Sequence, residues 1–372
     1  MAYFCVVRFA TRPKRNPRKN RLLDSKQKGI YVDAMFNVAN GYGEMARQFC
    51  KHLDNYVDLG ILPHGAYEQQ LIGLGLGHTL NSYTKTPDSL FSIQPTFSSM
   101  RPAYGKKSCI FTMFETSKLY SAWCRSINTF DLLITPSHAN AVCFSEQLKI
   151  PIEVANQGYD PDMFTFYQSP SNRPFIFGAA AHVGHGRTRK GIERIIDWFI
   201  AAFPENKDVR LSLKLNTWPE NGIIPDDSRI SLIEKDLTDE ACRDWLRSIH
   251  CYIDGSTFEG WGMWNHNAMA TGRPVIGTNY SARCEYFKFG NHIPIGYKIA
   301  PAKDQYQGMG HWAMPDRSDA IEAMRWAFNN PLKCQEIGLK AHESVKHLTW
   351  ERFTKRVLFL LKKHGVIDRF LR

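Results

Sequence analysis

Two periods of apolar residues alternate along the chain. Continuous apolar runs of strand length recur at residues 29–36, 57–62, 108–114, 131–135, 174–180, 209–215, 230–233, 251–254 and 274–276. Between them, apolar residues return every three or four positions, as in Met45, Phe49 and Leu53, or Ile192, Ile195, Ile196, Phe199 and Ile200. Such runs read as buried strands, and the three-to-four spacing reads as amphipathic helix. Further helices are predicted over 118–128, 192–203, 239–249, 317–329, 331–346 and 349–363. Ser137 and Thr238 supply hydroxyls suited to helix N-caps. Strands alternating with helices argue an α/β fold, a parallel sheet covered by helices on both faces. Residues 3–9 are one more strand candidate, 89–94 reads as an edge strand, and the glycine-rich, polar stretch 65–88 receives no firm assignment.

The tightest combination of signals lies between Ser256 and Ile276. An apolar run ends at Asp254, the glycines Gly260 and Gly262 follow, a helical pattern runs from Met263 to Thr271, and Gly272 and Pro274 stop it. Gly just past a helix end with Pro close behind is a stop signal. A flexible loop feeding a helix leaves backbone N–H groups unpaired at the positive end of the dipole, a place for an anion and most often a phosphate. Glu259 on that loop would repel phosphate, so its carboxylate should face hydroxyls. A sugar joined to a diphosphate meets both demands. A plain helix cap beside an incidental glutamate accounts for the spacing equally well.

Two other places repeat the strand–glycine–helix order. Gly41-Tyr42-Gly43 precedes the helix carrying Met45, and Tyr42 reads either as the wall of a site or as a surface turn residue. His182-Val183-Gly184-His185-Gly186-Arg187-Thr188-Arg189-Lys190-Gly191 leads from the strand at 174–180 into the helix at 192. Two cations at a helix start oppose its dipole unless an anion joins them. Arg187 or Arg189 would offer a planar fork and Lys190 a point charge. An exposed basic turn is the alternative. Glu115 follows a strand end, where open α/β sheets hold ligands, or else caps the next helix.

Composition narrows the picture. The 372 residues correspond to about two domains of about 150 residues. No signal peptide is expected, and no apolar run approaches the roughly 20 residues of a membrane span. Nine cysteines without paired spacing suggest reduced thiols and a cytoplasmic setting. Net charge is +11, from 47 Lys and Arg against 36 Asp and Glu. Part of that excess is local: Arg12, Lys14, Arg15, Arg18, Lys19 and Arg21 interleave with Pro13 and Pro17. The segment is either a solvated arm or one that contacts nucleic-acid phosphates. No Cys/His cluster has zinc-ligand spacing.

Glu259-Gly260-Trp261-Gly262, the helix ending Ala268-Met269-Ala270-Thr271-Gly272 and the following Pro274-Val275-Ile276 together resemble the retaining GT-B glycosyltransferases that carry a Glu-x7-Glu signature. Residues 111–117, 130–137 and 156–164 resemble the same family in kind and spacing. The second glutamate of the signature falls on Asn267, an uncharged amide. The resemblance implies a GT-B fold, two Rossmann-like doubly wound parallel-sheet domains facing a cleft. It places an acceptor domain at 1–165, a nucleotide-sugar domain at 166–350, a linker near 160–173 and a helix at 351–372 crossing back.

It further implies a donor site of Arg189, Lys190, Gly260, Trp261, Gly262, Met263 and Asn267, with Gly41, Tyr42 and Gly43 nearby and the base at 235–237. The expected catalytic residues are Glu259 and Lys190, with Glu115 a further candidate from its place after a strand end rather than from the resemblance. The implied donor is a nucleotide-diphosphate sugar, a UDP-sugar, with no cofactor and no metal despite the nearby His182 and His185. The diphosphate departs as positive charge grows on the sugar, and the acceptor attacks from the same side. For the acceptor, the basic charge suggests DNA carrying hydroxymethylated pyrimidines, as in phage base-modifying glycosyltransferases, which would place the enzyme in the host cytoplasm. A cell-envelope glycan, a protein acceptor, or an inactive nucleic-acid-binding relative are the alternatives.

Overall fold

The computed structural model describes residues 29–36, 41–63, 72–76, 79, 87–96, 100–182, 187–216 and 226–368. The strand candidate at 3–9 and the basic segment Arg12–Arg21 lie outside them, as do most of 65–88, His185 and the side chain of Arg187.

The first half builds a sheet from β1 (Ile30–Ala34), β2 (Leu59–Pro63), β3 (Ser89–Ile93), β4 (Lys107–Phe111), β5 (Leu132–Thr135) and β6 (Ile152–Val154) in the order β2-β1-β3-β4-β5-β6. Every pairing is parallel, with Ile30 opposite both Leu59 and Ser89. The second half repeats the plan with β7 (Phe175–Ala181), β8 (Val209–Leu215), β9 (Ile230–Glu234), β10 (Cys251–Ile253), β11 (Val275–Gly277) and β12 (Ile293–Pro294), ordered β12-β11-β10-β7-β8-β9 and again parallel. Strands such as β1 and β5 are buried along their whole length. That follows from helices on both faces of a parallel sheet, and it is why they read as apolar runs without alternation.

Among the described residues the α-helices are α1 (Gly41–Leu53), α2 (Ser121–Ile127), α3 (His138–Ser145), α4 (Arg187–Lys190), α5 (Ile192–Ala202), α6 (Asp239–Ser248), α7 (Met263–Ala270), α8 (Arg317–Asn329), α9 (Pro331–Val345) and α10 (Trp350–Lys363). Ser137 and Thr238 cap α3 and α6 through their side chains, as their position predicts. The apolar stripe of α1 meets the first sheet and α10: Phe49 lies 4.7 Å from Phe91 and 5.7 Å from Phe353, centroid to centroid. Glu153 at the sheet edge takes Lys363 at 2.5 Å and His364 at 2.8 Å, fixing the end of α10 to the first half of the molecule.

Four features differ from the pattern-based expectation. β3 is interior, hydrogen-bonded to β1 and β4 rather than lying at an edge, a place set by the order in which the strands pair. The strand expected over 108–114 ends at Phe111, where Thr112 turns its hydroxyl onto the Gln94 carbonyl at 2.6 Å. Gly41, Tyr42 and Gly43 form the first turn of α1 itself rather than a turn before it. An antiparallel hairpin, β13 (Tyr297–Pro301) with β14 (His311–Pro315), follows the second sheet and was not anticipated.

Candidate functional site

The C-terminal ends of both sheets border a cleft of about 550 Å³. From the second half, Glu259, Gly260, Trp261, Gly262 and Met263 enter it on the loop after β10 and the start of α7. Gly262 is the N-cap of α7 at φ 87°, with no side-chain cap and no acidic residue in the first turn. A Cβ there would stand 2.6 Å from the Tyr286 hydroxyl oxygen, so both conformation and space require glycine. Gly260 is confined in the same way by Met113 of the first half, whose side chain would lie 2.6 Å from an added Cβ.

Arg189 and Lys190 sit in the single turn α4, and Gly191 at φ 68° breaks the chain before α5. Lys190 Nζ donates to Glu259 Oε1 at 2.6 Å, and Arg189 Nη1 approaches the same oxygen at 3.3 Å. Burial would raise the Glu259 carboxyl, but Lys190 and Arg189 overcome it and hold the group down to about 2, so Glu259 is ionised. Arg189 is itself buried. Its Nη1 also donates to the Phe258 carbonyl at 2.8 Å, and its Nη2 lies 3.2 Å from Glu115 Oε1. The guanidinium fork expected to face phosphate is therefore taken up by two carboxylates and a carbonyl. Lys190 remains the more exposed cation, its ammonium able to give two further hydrogen bonds.

Glu115 is held from two sides, by Arg189 and by the Tyr306 hydroxyl, which donates to Oε2 at 2.5 Å. Its backbone carbonyl accepts the Trp312 indole N–H at 2.9 Å. It does not cap a helix, since α2 begins only at Ser121. Tyr306 and Trp312 both come from the hairpin segment, which thus reaches from the second half onto the first. Tyr42 lines the cleft, but its hydroxyl donates to the Met113 carbonyl at 3.0 Å and accepts from the Met113 N–H at 3.2 Å. Gly41 touches the cleft; Gly43 lies within α1 and does not line it.

Asn267 opens onto the cleft one turn into α7, and Asp236 and Leu237 border it at the place expected for the base. Lys214, next to last in β8, was not singled out in the sequence. It is 7% exposed, lines the cleft and stands 5.7 Å over the Trp264 ring. Its signal was its position at a strand's C-terminal end, hidden inside an apolar run. His266 belongs to the core: burial pushes its imidazole down to about 3, and Trp261 Nε1 donates to its Nδ1 at 3.3 Å. His182 borders the cleft beside Asn216, 3.1 Å from its amide nitrogen. Among the described residues no group of three or more His, Cys, Asp or Glu could hold a metal ion, and no helix is long and apolar enough to cross a membrane.

No protein-family model matches the sequence, and no curated protein sequence matches it. Solved structures do resemble it. The Anabaena protein HepE in complex with UDP and glucose aligns over 90% of this chain and 99% of its own, with a TM-score of 0.65 and 12% identity. Sucrose-phosphate synthase from Thermosynechococcus elongatus aligns over 91% and 99%, with a TM-score of 0.64 and 13% identity. A point mutant of Staphylococcus aureus TarM, solved with fondaparinux, α-GlcNAc-glycerol and UDP, aligns over 78% of this chain and 58% of its own, with a TM-score of 0.55 and 14% identity. At these identities the likeness speaks for the fold: α/β, of GT-B type, with two Rossmann-like parallel-sheet domains facing a cleft.

Proposed function

We propose that the chain is a retaining glycosyltransferase moving a sugar from a nucleotide-diphosphate sugar, of the UDP class, to an acceptor hydroxyl. The observation that carries this reading is the meeting of Lys190, ionised Glu259 and the uncapped start of α7 at one cleft. The bond from the anomeric carbon to the diphosphate oxygen breaks while positive charge grows on the sugar. Lys190 and the backbone N–H groups of the first turn of α7 stabilise the departing diphosphate. Glu259 accepts hydrogen bonds from sugar hydroxyls and orients the donor. Arg189 is a positioning residue that keeps Glu259 and Glu115 in place. Glu115 orients the acceptor hydroxyl from the first domain. The acceptor oxygen bonds the anomeric carbon on the face the diphosphate leaves, and the departing phosphate takes its proton. In this reading 1–165 receives the acceptor, 166–350 holds the nucleotide sugar, and 351–372 returns to the first domain. The UDP bound in the HepE and TarM structures supports a uridine donor.

For the acceptor we take a 5-hydroxymethylpyrimidine in DNA, flipped out of the stack. The +11 charge and the cations between Arg12 and Arg21 support a polyanionic partner. A second reading rests on Asn267, whose amide lacks the charge of the matching glutamate: a nucleic-acid-binding relative without transfer activity. The test incubates the chain with several nucleotide sugars and with hydroxymethylated or unmodified DNA. The expected result is an added sugar mass on the hydroxymethylated strand and slow release of nucleotide diphosphate without acceptor. Release from no donor contradicts the enzyme, and transfer only to a glycan or protein replaces DNA as the acceptor.

A further inference from the structure

We propose that Gln157 is a sugar-binding residue whose carboxamide takes two neighbouring ring hydroxyls of the ligand in the cleft, an inference that rests on the nucleotide-sugar reading above. Gln157 follows β6 at the C-terminal edge of the first sheet, the edge where open α/β sheets hold their ligands. Gln157 is fully buried, 0% exposed, and is among the residues that border the cleft. Neither its Oε1 nor its Nε2 has a hydrogen-bond partner among the described residues. Nearby amides behave otherwise. Asn156 gives its amide to the Pro136 carbonyl at 2.9 Å and to Glu285 at 3.2 Å, and Asn140 bonds the Phe114 backbone with both its oxygen and its nitrogen.

A buried carboxamide offers two donors and an acceptor, and leaving all of them unpaired is costly. The backbone holds it there. A Cβ on Gly158 would meet the Trp350 nitrogen at 2.1 Å, and Tyr159 pairs through both backbone groups with Leu348 and Trp350. Trp350 and Phe164 line the same cleft, giving apolar faces against which a sugar ring can lie. Two adjacent hydroxyls supply what the amide needs, one hydrogen for Oε1 and one oxygen for Nε2. Both the ribose and the transferred sugar of the donor carry such a pair.

The test is Gln157→Met, which keeps the length of the side chain and removes both polar atoms. The unfolding midpoint of the free chain and the dissociation constants for UDP and for UDP-glucose are measured on variant and wild type. The midpoint is expected to stay level or rise, because an apolar group replaces unpaired polar atoms. Affinity is expected to fall about tenfold, the worth of two ordinary hydrogen bonds. A fall for both ligands assigns the ribose, and a fall for UDP-glucose alone assigns the transferred sugar. Unchanged affinity for both overturns the proposal, as does a midpoint several degrees lower, which marks a structural residue. A wild-type chain that binds neither ligand overturns the nucleotide-sugar reading and this inference with it. That outcome is distinct from a wild type that binds and a variant that binds equally well.

Discussion

Two glycine–aromatic–glycine tripeptides meet across the cleft, Gly41-Tyr42-Gly43 and Gly260-Trp261-Gly262. They are close enough that a Cβ on Gly41 would stand 3.2 Å from Met263 Sδ. Their settings differ. The first lies inside the opening turn of α1, and that turn carries its own acid: Glu44 bonds Arg47 at 2.9 Å and Gln48 at 2.9 Å. The second lies before α7, whose first turn has neither an acid nor a side-chain cap, and whose neighbouring carboxylate Glu259 is held by Lys190. Similar glycine motifs thus open one helix with an acid in its first turn and the other with neither acid nor side-chain cap, the end to which the proposed function assigns the diphosphate. What decides is the charge around each helix start and the backbone conformation of its glycine.

The largest effect that could break this contrast belongs to Lys190. Lys190→Ala should lower donor turnover about 10²–10³-fold while the circular dichroism spectrum stays that of the wild type, because in the proposed reaction the cation acts on charge that develops as the diphosphate leaves. Arg47→Ala on the opposite helix should leave turnover within a few-fold. Equal losses in the two variants would erase the distinction between the helix starts.

Next come the glycines. Gly262→Ala should cost about 1–3 kcal/mol of stability, since the residue sits at φ 87° and its Cβ would press on Tyr286. Gly41→Ala should be neutral or stabilising by up to about 1 kcal/mol, because alanine suits a helical turn and Met263 is flexible. Urea denaturation of both variants measures the difference.

A smaller effect is expected for pH. Glu259 has a folded value near 2, below the ordinary 4.5. Its contribution is fully present above pH 4.5 and is lost as pH falls toward 2. Glu259→Gln should flatten that acid limb, seen as urea midpoints that vary less between about pH 5 and about pH 2.5 than those of the wild type. An unchanged slope would show that Glu259 does not feel Lys190 and Arg189 as their distances imply. Smallest of all, Tyr42→Phe removes a hydroxyl that bonds the Met113 backbone. It should cost about 1 kcal/mol of stability and leave UDP affinity unchanged; a large loss of affinity would make the first tripeptide a ligand site as well.

The α/β plan was legible because parallel strands buried on both faces read as apolar runs, and helices such as α5 and α8 keep a clear stripe. Gly262, Met263 and Lys190 stood out through local chemistry: a helix start without a cap, and cations where a dipole disfavours them. Tyr306, Lys214 and Gln157 did not. Tyr306 reaches Glu115 only through a hairpin that crosses between the halves, Lys214 is one cation inside an apolar strand, and the unpaired state of Gln157 is a fact of packing. The engagement of Arg189 was equally hidden, since its partners Glu115 and Glu259 lie 74 and 70 positions away in sequence. The interior place of β3 depended on pairing order, which no run of five residues encodes.

Where the diphosphate binds can be seen outright in a crystal of the chain soaked with UDP. The diphosphate is expected beside Lys190 and the first turn of α7, with the ribose turned toward Asn267. A diphosphate bound elsewhere, whether at the start of α1 or outside the cleft, would contradict it.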